Sequence, residues 1–510
     1  MTAIAKDHLR PDEVQLLEKA SAWFDDHRAE FIQELIEWIA IPSMSDESLA
    51  ELGQPFGPAV AKAFERAAHS AHKAGFFVQS HDGYAISVRA DQREHVRELG
   101  LISHLDVVPP GDNWVFDPFD AFEKDGVIVG RGALDNKGPA LLDLYLLRAF
   151  RELDVPLHHQ LRIVYGGAEE TGMADMKYVV KHATVPHFSI ITDGNFPVNH
   201  AQKGGLDLIL DIPVGIELSG LKAGVSKNAV PAQASLHWPV HRAERLSQAI
   251  ATLPDIQRQA LSIAIERNEV ILSSHGHSGH AAFPEHTQNA IPLLLDALVS
   301  ANLLEDHERL VAKIIAQLLA DPWGISAGIG AEDLQTGRLT LNGGLIIPHE
   351  DTSSIAVHLD IRYPAVADTE ALIAHLQRVI APIHGTVTVV DNAAPACMDK
   401  NGPLVQHLQQ TFDAVASTRT EPYAMGGATH ARVVPNSITF GPGFGTSSGS
   451  TFQGVSLAER PEFIPEGHGL PHGPDEFVSI DNLKRAFLVY AIAIPRLDRW
   501  LTQEGGDNVK

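Results

Sequence analysis

The sequence predicts an α/β protein of two lobes, and three features predict it. Over residues 76–192 short apolar runs alternate with helical stretches, an order that builds a largely parallel sheet flanked by helices. After Gly204-Gly205 the texture changes to alternating strands with helical stretches between them. Past residue 393 a helix and a Gly-rich region return. The implied organisation is an outer, discontinuous domain of residues 1–205 and 394–510, with an inserted α/β sandwich over 206–393. A chain of 510 residues accommodates this comfortably at about 100–200 residues per domain.

The elements follow in order. Val14, Leu17, Phe24, Phe31, Leu35 and Trp38 fall near helical spacing over 12–40, and Ile41-Pro42 ends the run. A second helix is expected over 56–74, closed by Gly75. Strands are expected over 76–79, 84–89 and 99–105, a buried helix over 139–150, and strands over 161–165 and 188–192. In the inserted part, 206–214 and 354–361 alternate as half-exposed strands, and 243–265 and 290–319 read as helices. Residues 404–415 return to helix ahead of a Gly-rich stretch, 425–454.

Composition excludes several classes. With 39 Lys+Arg against 64 Asp+Glu the formal charge is −25, which argues against nucleic acid or an anionic membrane surface as partner. The acidic excess is expected to be a solvated surface. The single cysteine, Cys397, rules out an intrachain disulfide framework or a multi-cysteine metal site, and it is expected to be structural. No signal-peptide core and no run of about 18 apolar residues is present, so a cytoplasmic location is expected.

The informative pattern is acids and histidines at strand ends. LGLISHLDVVPP sets His104 and Asp106 at the end of an apolar run, where open α/β sheets bind ligands. Residues i and i+2 share a face, so Asp106 is placed to support the second nitrogen of a His104 ring that holds a metal. Asp135 stands in GRGALDNKGP, where an isolated Asp also serves as a turn or cap residue. Glu169 and Glu170 adjoin in GAEETG, and such a pair needs a positive partner unless it is solvated; a metal pair would supply one, leaving one Glu as ligand and the other to carry protons. Asp193 ends a third run, FSIITD.

These motifs, with HLDVVPPGDNWVFDPF, TDG, SGHAAFPEHTQNA, IRYP, GGATHAR and LPHGPDEF, run from about residue 100 to 477. In that order they resemble the zinc aminoacylase/carboxypeptidase G/succinyl-diaminopimelate desuccinylase metallopeptidase superfamily, and especially its PepV-like, carnosinase-like dipeptidase branch. The resemblance implies a zinc-peptidase-like catalytic domain with an inserted lid. It implies two Zn2+ ions per chain, replaceable by Mn2+ or Co2+: His104 and Asp193 on one, Glu170 and His472 on the other, and Asp135 bridging them. A hydroxide shared by the ions would attack the amide of a dipeptide, Glu169 would act as general base and then acid, and Asp106 would orient His104. The peptide bond after Asp135 is expected to be cis.

For substrate binding the resemblance points to His280 and Asn228 as contacts from the inserted domain, Arg362 as receiver of the free carboxylate, and Gly427 and Arg432 in the Gly-rich region. His472 is preferred over His468 as ligand because Glu476 follows it at the family's four-residue spacing. His430 stands where the family commonly has Tyr or Asp, and is expected to be a pocket or loop residue. The long inserted segment favours a monomer over a homodimer. The other activities weighed are N-acyl amino acid hydrolysis and carboxypeptidase action, with a non-catalytic zinc or peptide-binding protein as the non-enzyme alternative.

Overall fold

The computed structural model describes residues 8–503 apart from 93–96, 112, 280, 283, 350–352, 445–450, 454 and 457–459. The chain forms two compact units: Met1–His200, Met398–Tyr423 and Ala428–Lys510 in one, Ala201–Cys397 and Ala424–Gly427 in the other. The divisions therefore fall at 201 and 397 rather than 206 and 393. Ala201 and Gln202 pair with Cys397 and Ala396, which draws both into the inserted unit. Gly427 belongs to the inserted unit rather than the outer one, since the Lys203 amide bonds the Met425 carbonyl beside it. Cys397 is exposed rather than part of a core.

In the first unit, strand Glu98–His104 lies between Gln160–Gly166 and Phe188–Ile191 and runs parallel to both. Ser437–Phe440 continues the parallel block beyond Phe188–Ile191. The flanks are antiparallel: Ala85–Arg89 joins Gln160–Gly166, and Phe77–His81 joins Ala85–Arg89. Chain length explains the outermost pair. Asp82 and Gly83, both at positive φ, make a tight turn that returns the chain alongside itself, whereas parallel neighbours need a crossover such as helix Lys137–Glu152.

Successive residues of the central strands face opposite sides. Leu101, Ile163 and Ile190 join one apolar cluster, and Ile102, Val164 and Ile191 join another. The first cluster is covered by helices Pro11–Ile39, Lys137–Glu152 and Ile480–Gln503. Their rings interlock, with Phe31 and Tyr145 centroids 5.0 Å apart and Trp23 stacked on Phe487 at 5.7 Å. Met176 and Val179 of helix Ala174–His182 cover the second. Both faces are thus buried, as a parallel block requires.

The second unit is an eight-stranded antiparallel sheet in the order Leu261–Glu266, Glu269–His275, Gln233–Pro239, Leu221–Ala223, Thr340–Pro348, Ser354–Tyr363, Gly204–Pro213, Thr386–Ala393. The stretch expected as one helix over 243–265 is two helices, Ala243–Ala251 and Asp255–Gln259, followed by a strand, Leu261–Glu266, paired with Glu269–His275. Leu253-Pro254 breaks the helix, and Leu261, Ile263 and Ile265 alternate at strand spacing. The stretch 290–319 is two helices, Ala290–Ser300 and Asp306–Leu318, separated at Asn302, which takes positive φ. No helix among the described residues is long and apolar enough to cross a membrane.

Candidate metal centre

The parallel pairing aligns His104 with Gly166 and Ile102 with Ile191, so the chain leaves three neighbouring strands at one edge. The residues that follow, Asp106, Glu169, Glu170 and Asp193, are gathered there by register alone. Asp135 reaches the same place from the turn before helix Lys137–Glu152, and His472 from a turn in which it takes positive φ.

The His104 ring is fully buried. Its Nε2 lies 3.1 Å from Asp135 Oδ1 and 3.7 Å from Asp193 Oδ1. Its Nδ1 lies 3.0 Å from the Asp106 backbone carbonyl and 3.3 Å from Asp106 Oδ1. The Asp106 carboxylate also accepts the amides of Glu169 (3.2 Å) and Glu170 (3.1 Å). His472 Nε2 sits between Asp135 Oδ2 at 3.2 Å and Glu170 Oε1 at 3.0 Å. The Asp135-Asn136 peptide is cis, and the Asn136 side chain donates to Asp193 Oδ1 (2.9 Å) and to the Thr192 carbonyl (3.0 Å). Donor atoms of His104, Glu169 and Asp193 lie within 4.8 Å of one another, as do those of His104, Asp135 and Glu170.

The electrostatics are those of crowded like charges. Burial, then the charges of Asp193 and Glu170, push Glu169 well above the usual carboxylate range. Burial and Asp135 raise Glu170 to about 7. Burial opposes protonation of His472, but its contacts with Asp135 and Glu170 outweigh it and lift the ring to about 11. Asp135 goes the opposite way, because bonds from His104 and His472 overcome its burial. Among the described residues no Lys or Arg forms an ion pair with Asp135, Glu169, Glu170 or Asp193. A cluster of carboxylate oxygens and imidazole nitrogens with no Lys or Arg paired to it among the described residues fits divalent ions of the zinc, manganese or cobalt type.

Two supports were not foreseen. Glu476, read from the sequence only as a spacing marker, is fully buried. Its Oε1 accepts the amides of Gly132 (3.1 Å), Leu134 (2.8 Å) and Asp135 (3.0 Å), and its Oε2 takes Arg131 Nη1 at 2.6 Å. His430 is also fully buried, with Nε2 at 3.0 Å from Asp175 Oδ2. The local hint was a lone Arg between glycines in GRGALDN and a His where the family has another residue; neither names its partner. His468 turns to Asp475, with Nδ1 2.6 Å from Oδ2, and that carboxylate in turn holds the Val115 and Phe116 amides.

The structure does not gather the expected substrate contacts into one unit. Asn228, Arg362 and Gly427 lie in the second unit and Arg432 in the first. His280 lies outside the described residues. The Arg362 guanidinium is held by the buried Asp360, with Nε 2.7 Å from Oδ1 and Nη2 2.9 Å from Oδ2.

A Bacillus subtilis (strain 168) relative named "Putative dipeptidase YtjP" is 29% identical over 482 residues, covering 92% of this chain and 97% of that protein. Among solved structures, human carnosine dipeptidase 1 aligns with a TM-score of 0.56 at 16% identity, over 95% of this chain and 99% of that one. The di-peptidase Dug1p from Saccharomyces cerevisiae aligns at 0.56 with 14% identity, over 95% and 98%. These two share the fold. Residues 100–496 match the model of Peptidase family M20/M25/M40. The chain belongs to peptidase family M20/M25/M40 and is a metallopeptidase of the hydrolase class.

Proposed function

We propose that the protein hydrolyses the amide bond of dipeptides, releasing two amino acids, with divalent metal held by His104, Asp135, Glu170, Asp193 and His472. The observation that carries this reading is Glu169, a carboxyl beside Glu170 whose donor oxygen lies within 4.8 Å of those of His104 and Asp193. The dipeptide as substrate rests on the Bacillus relative. When bound, a pair of zinc ions supplies Lewis acidity and lowers the pKa of water to about 7. Glu169 takes the proton that the attacking water gives up and delivers it to the departing amine nitrogen as the carbon–nitrogen bond breaks. Asp106 fixes the His104 ring and the Glu169–Glu170 backbone together. Asn228, His280, Arg362, Gly427 and Arg432 are carried over from the family resemblance as substrate contacts, with Arg362 for the free carboxylate. Action as a cytoplasmic monomer is part of the same reading.

The test compares wild-type and Glu169→Gln protein, zinc-loaded, on dipeptides, N-acetyl amino acids and longer peptides. Turnover of dipeptides should fall by about 10²–10⁴-fold in the variant, the range of general acid–base catalysis, with the bound metal retained. Unchanged turnover sinks the role of Glu169. Cleavage confined to acylated substrates or to longer peptides replaces the dipeptidase reading with the amidohydrolase or carboxypeptidase one.

A further inference from the structure

Four consecutive backbone amides lead into and through the Glu169–Glu170 pair, and two buried carboxylates hold all four. Asp106 accepts those of Glu169 and Glu170. Asp175, in the first turn of helix Ala174–His182, accepts those of Gly167 (2.8 Å) and Ala168 (3.1 Å) through Oδ2. Asp106 belongs to the site already described. Asp175 is not one of the candidate ligands, and its only side-chain partner among the described residues is His430, whose Nε2 lies 3.0 and 3.2 Å from the two carboxylate oxygens and whose ring stands edge-on to that of His104, with centroids 6.3 Å apart. Both side chains are fully buried.

Space around the pair is tight. A Cβ on Gly166 would stand 2.1 Å from Asp175 Oδ2 and 2.7 Å from His430 Cε1, so the strand end needs glycine there for the pair to fit beneath it. Among the described residues His430 Nδ1 has no hydrogen-bond partner, so the ring's polar contact there is the one it makes to Asp175. A buried imidazole that satisfies one nitrogen and leaves the other unpaired is a costly residue for mere filling.

We propose that Asp175 and His430 are positioning residues for the reaction, which set the Glu169–Glu170 pair through the amides of Gly167 and Ala168. This rests on the functional reading given above. His430 orients the carboxylate, the carboxylate holds two amides, and these fix the direction in which the next two side chains leave the backbone. Removing the His430 donor lets Asp175 turn, and the loop then holds Glu169 and Glu170 less well for proton transfer and for metal.

His430→Phe keeps the ring without the donor, and His430→Gln places a side-chain N–H near the position of Nε2. With alanylalanine as substrate, His430→Phe should lower kcat about 10–100-fold at unchanged KM, the usual effect of losing support to a metal ligand, and weaken zinc affinity by calorimetry to a similar degree. His430→Gln should stay near wild type in both. Hydrogen exchange at 167–168 should quicken in His430→Phe alone. Should His430→Phe not fold, Asp175→Asn carries the same test with the same expected losses. Wild-type kcat and zinc affinity in His430→Phe, or equal damage in His430→Gln, overturns the proposal. Glu169→Gln run in parallel separates the two levels. If that variant is fully active the functional reading falls; if it is inactive while His430→Phe is normal, only the positioning role falls.

Discussion

Replacing Glu476 by Gln removes one buried charge and leaves nearly the same shape. In the native protein that carboxylate satisfies Arg131 at 2.6 Å and the amides of Gly132, Leu134 and Asp135 at 2.8–3.1 Å. A Gln carbonyl can still accept amides, but the NH₂ group then faces the Arg131 guanidinium, donor against donor. Arg131 is itself fully buried, so its charge loses its partner where water cannot replace it. Breaking a buried pair in this way costs about 3–5 kcal/mol, far more than the net value of about 0.5–1.5 kcal/mol for an ordinary hydrogen bond. The assay is urea unfolding at neutral pH, with hydrogen exchange over 130–136 as a local readout. Glu476→Gln should lose stability by that amount and exchange faster at 132–135. Adding Arg131→Met should recover part of the loss, since the uncompensated charge is then gone. A loss under about 1 kcal/mol with unchanged protection would refute the reasoning.

Other outcomes follow from the same geometry. His472→Ala should cost one of the bound zinc ions by elemental analysis, whereas His468→Ala should keep both, because His468 is engaged by Asp475. Asp143, buried and bonded by Ser103 and Thr192, has its carboxyl raised to about 8 by burial. The folded protein therefore keeps a proton that the unfolded chain releases near pH 4, so the Asp143 contribution is greatest below pH 4 and falls as pH rises toward 8. Asp143→Asn removes this titration. Unfolding at pH 5 and pH 8 should show wild type losing ground to the variant at the higher pH, and parallel curves would contradict the assignment. Gly166→Ala should destabilise the protein, since its Cβ would meet Asp175 at 2.1 Å; a thermal midpoint equal to wild type would show that the pair yields easily.

The central strands were legible because their apolar runs are short, bounded and separated by one clear helix. The acids and His104 were legible for a related reason. They follow those runs directly, so a parallel register brings them together with no further information. Asp135 and His472 needed the family resemblance, since each arrives from a turn with no periodic signal. The supports were not readable at all. Arg131 and Glu476 are 345 residues apart and Asp175 and His430 are 255 apart, and each looks locally like an ordinary polar residue. The end of the helix expected over 243–265 had local signals, Pro254 and the alternation of Leu261, Ile263 and Ile265, but the apolar residues continue so closely from a true helix that the strand shows plainly only in its pairing with Glu269–His275. The inserted unit's boundaries moved because strand pairing, rather than composition, determines where the chain crosses from one unit to the other.

The most direct test is a crystal structure of zinc-loaded protein with anomalous data collected at the metal edge. Two peaks are predicted, one against His104 and Asp193 and the other against Glu170 and His472, with Asp135 reaching both. A single peak, or peaks away from these side chains, would contradict the account.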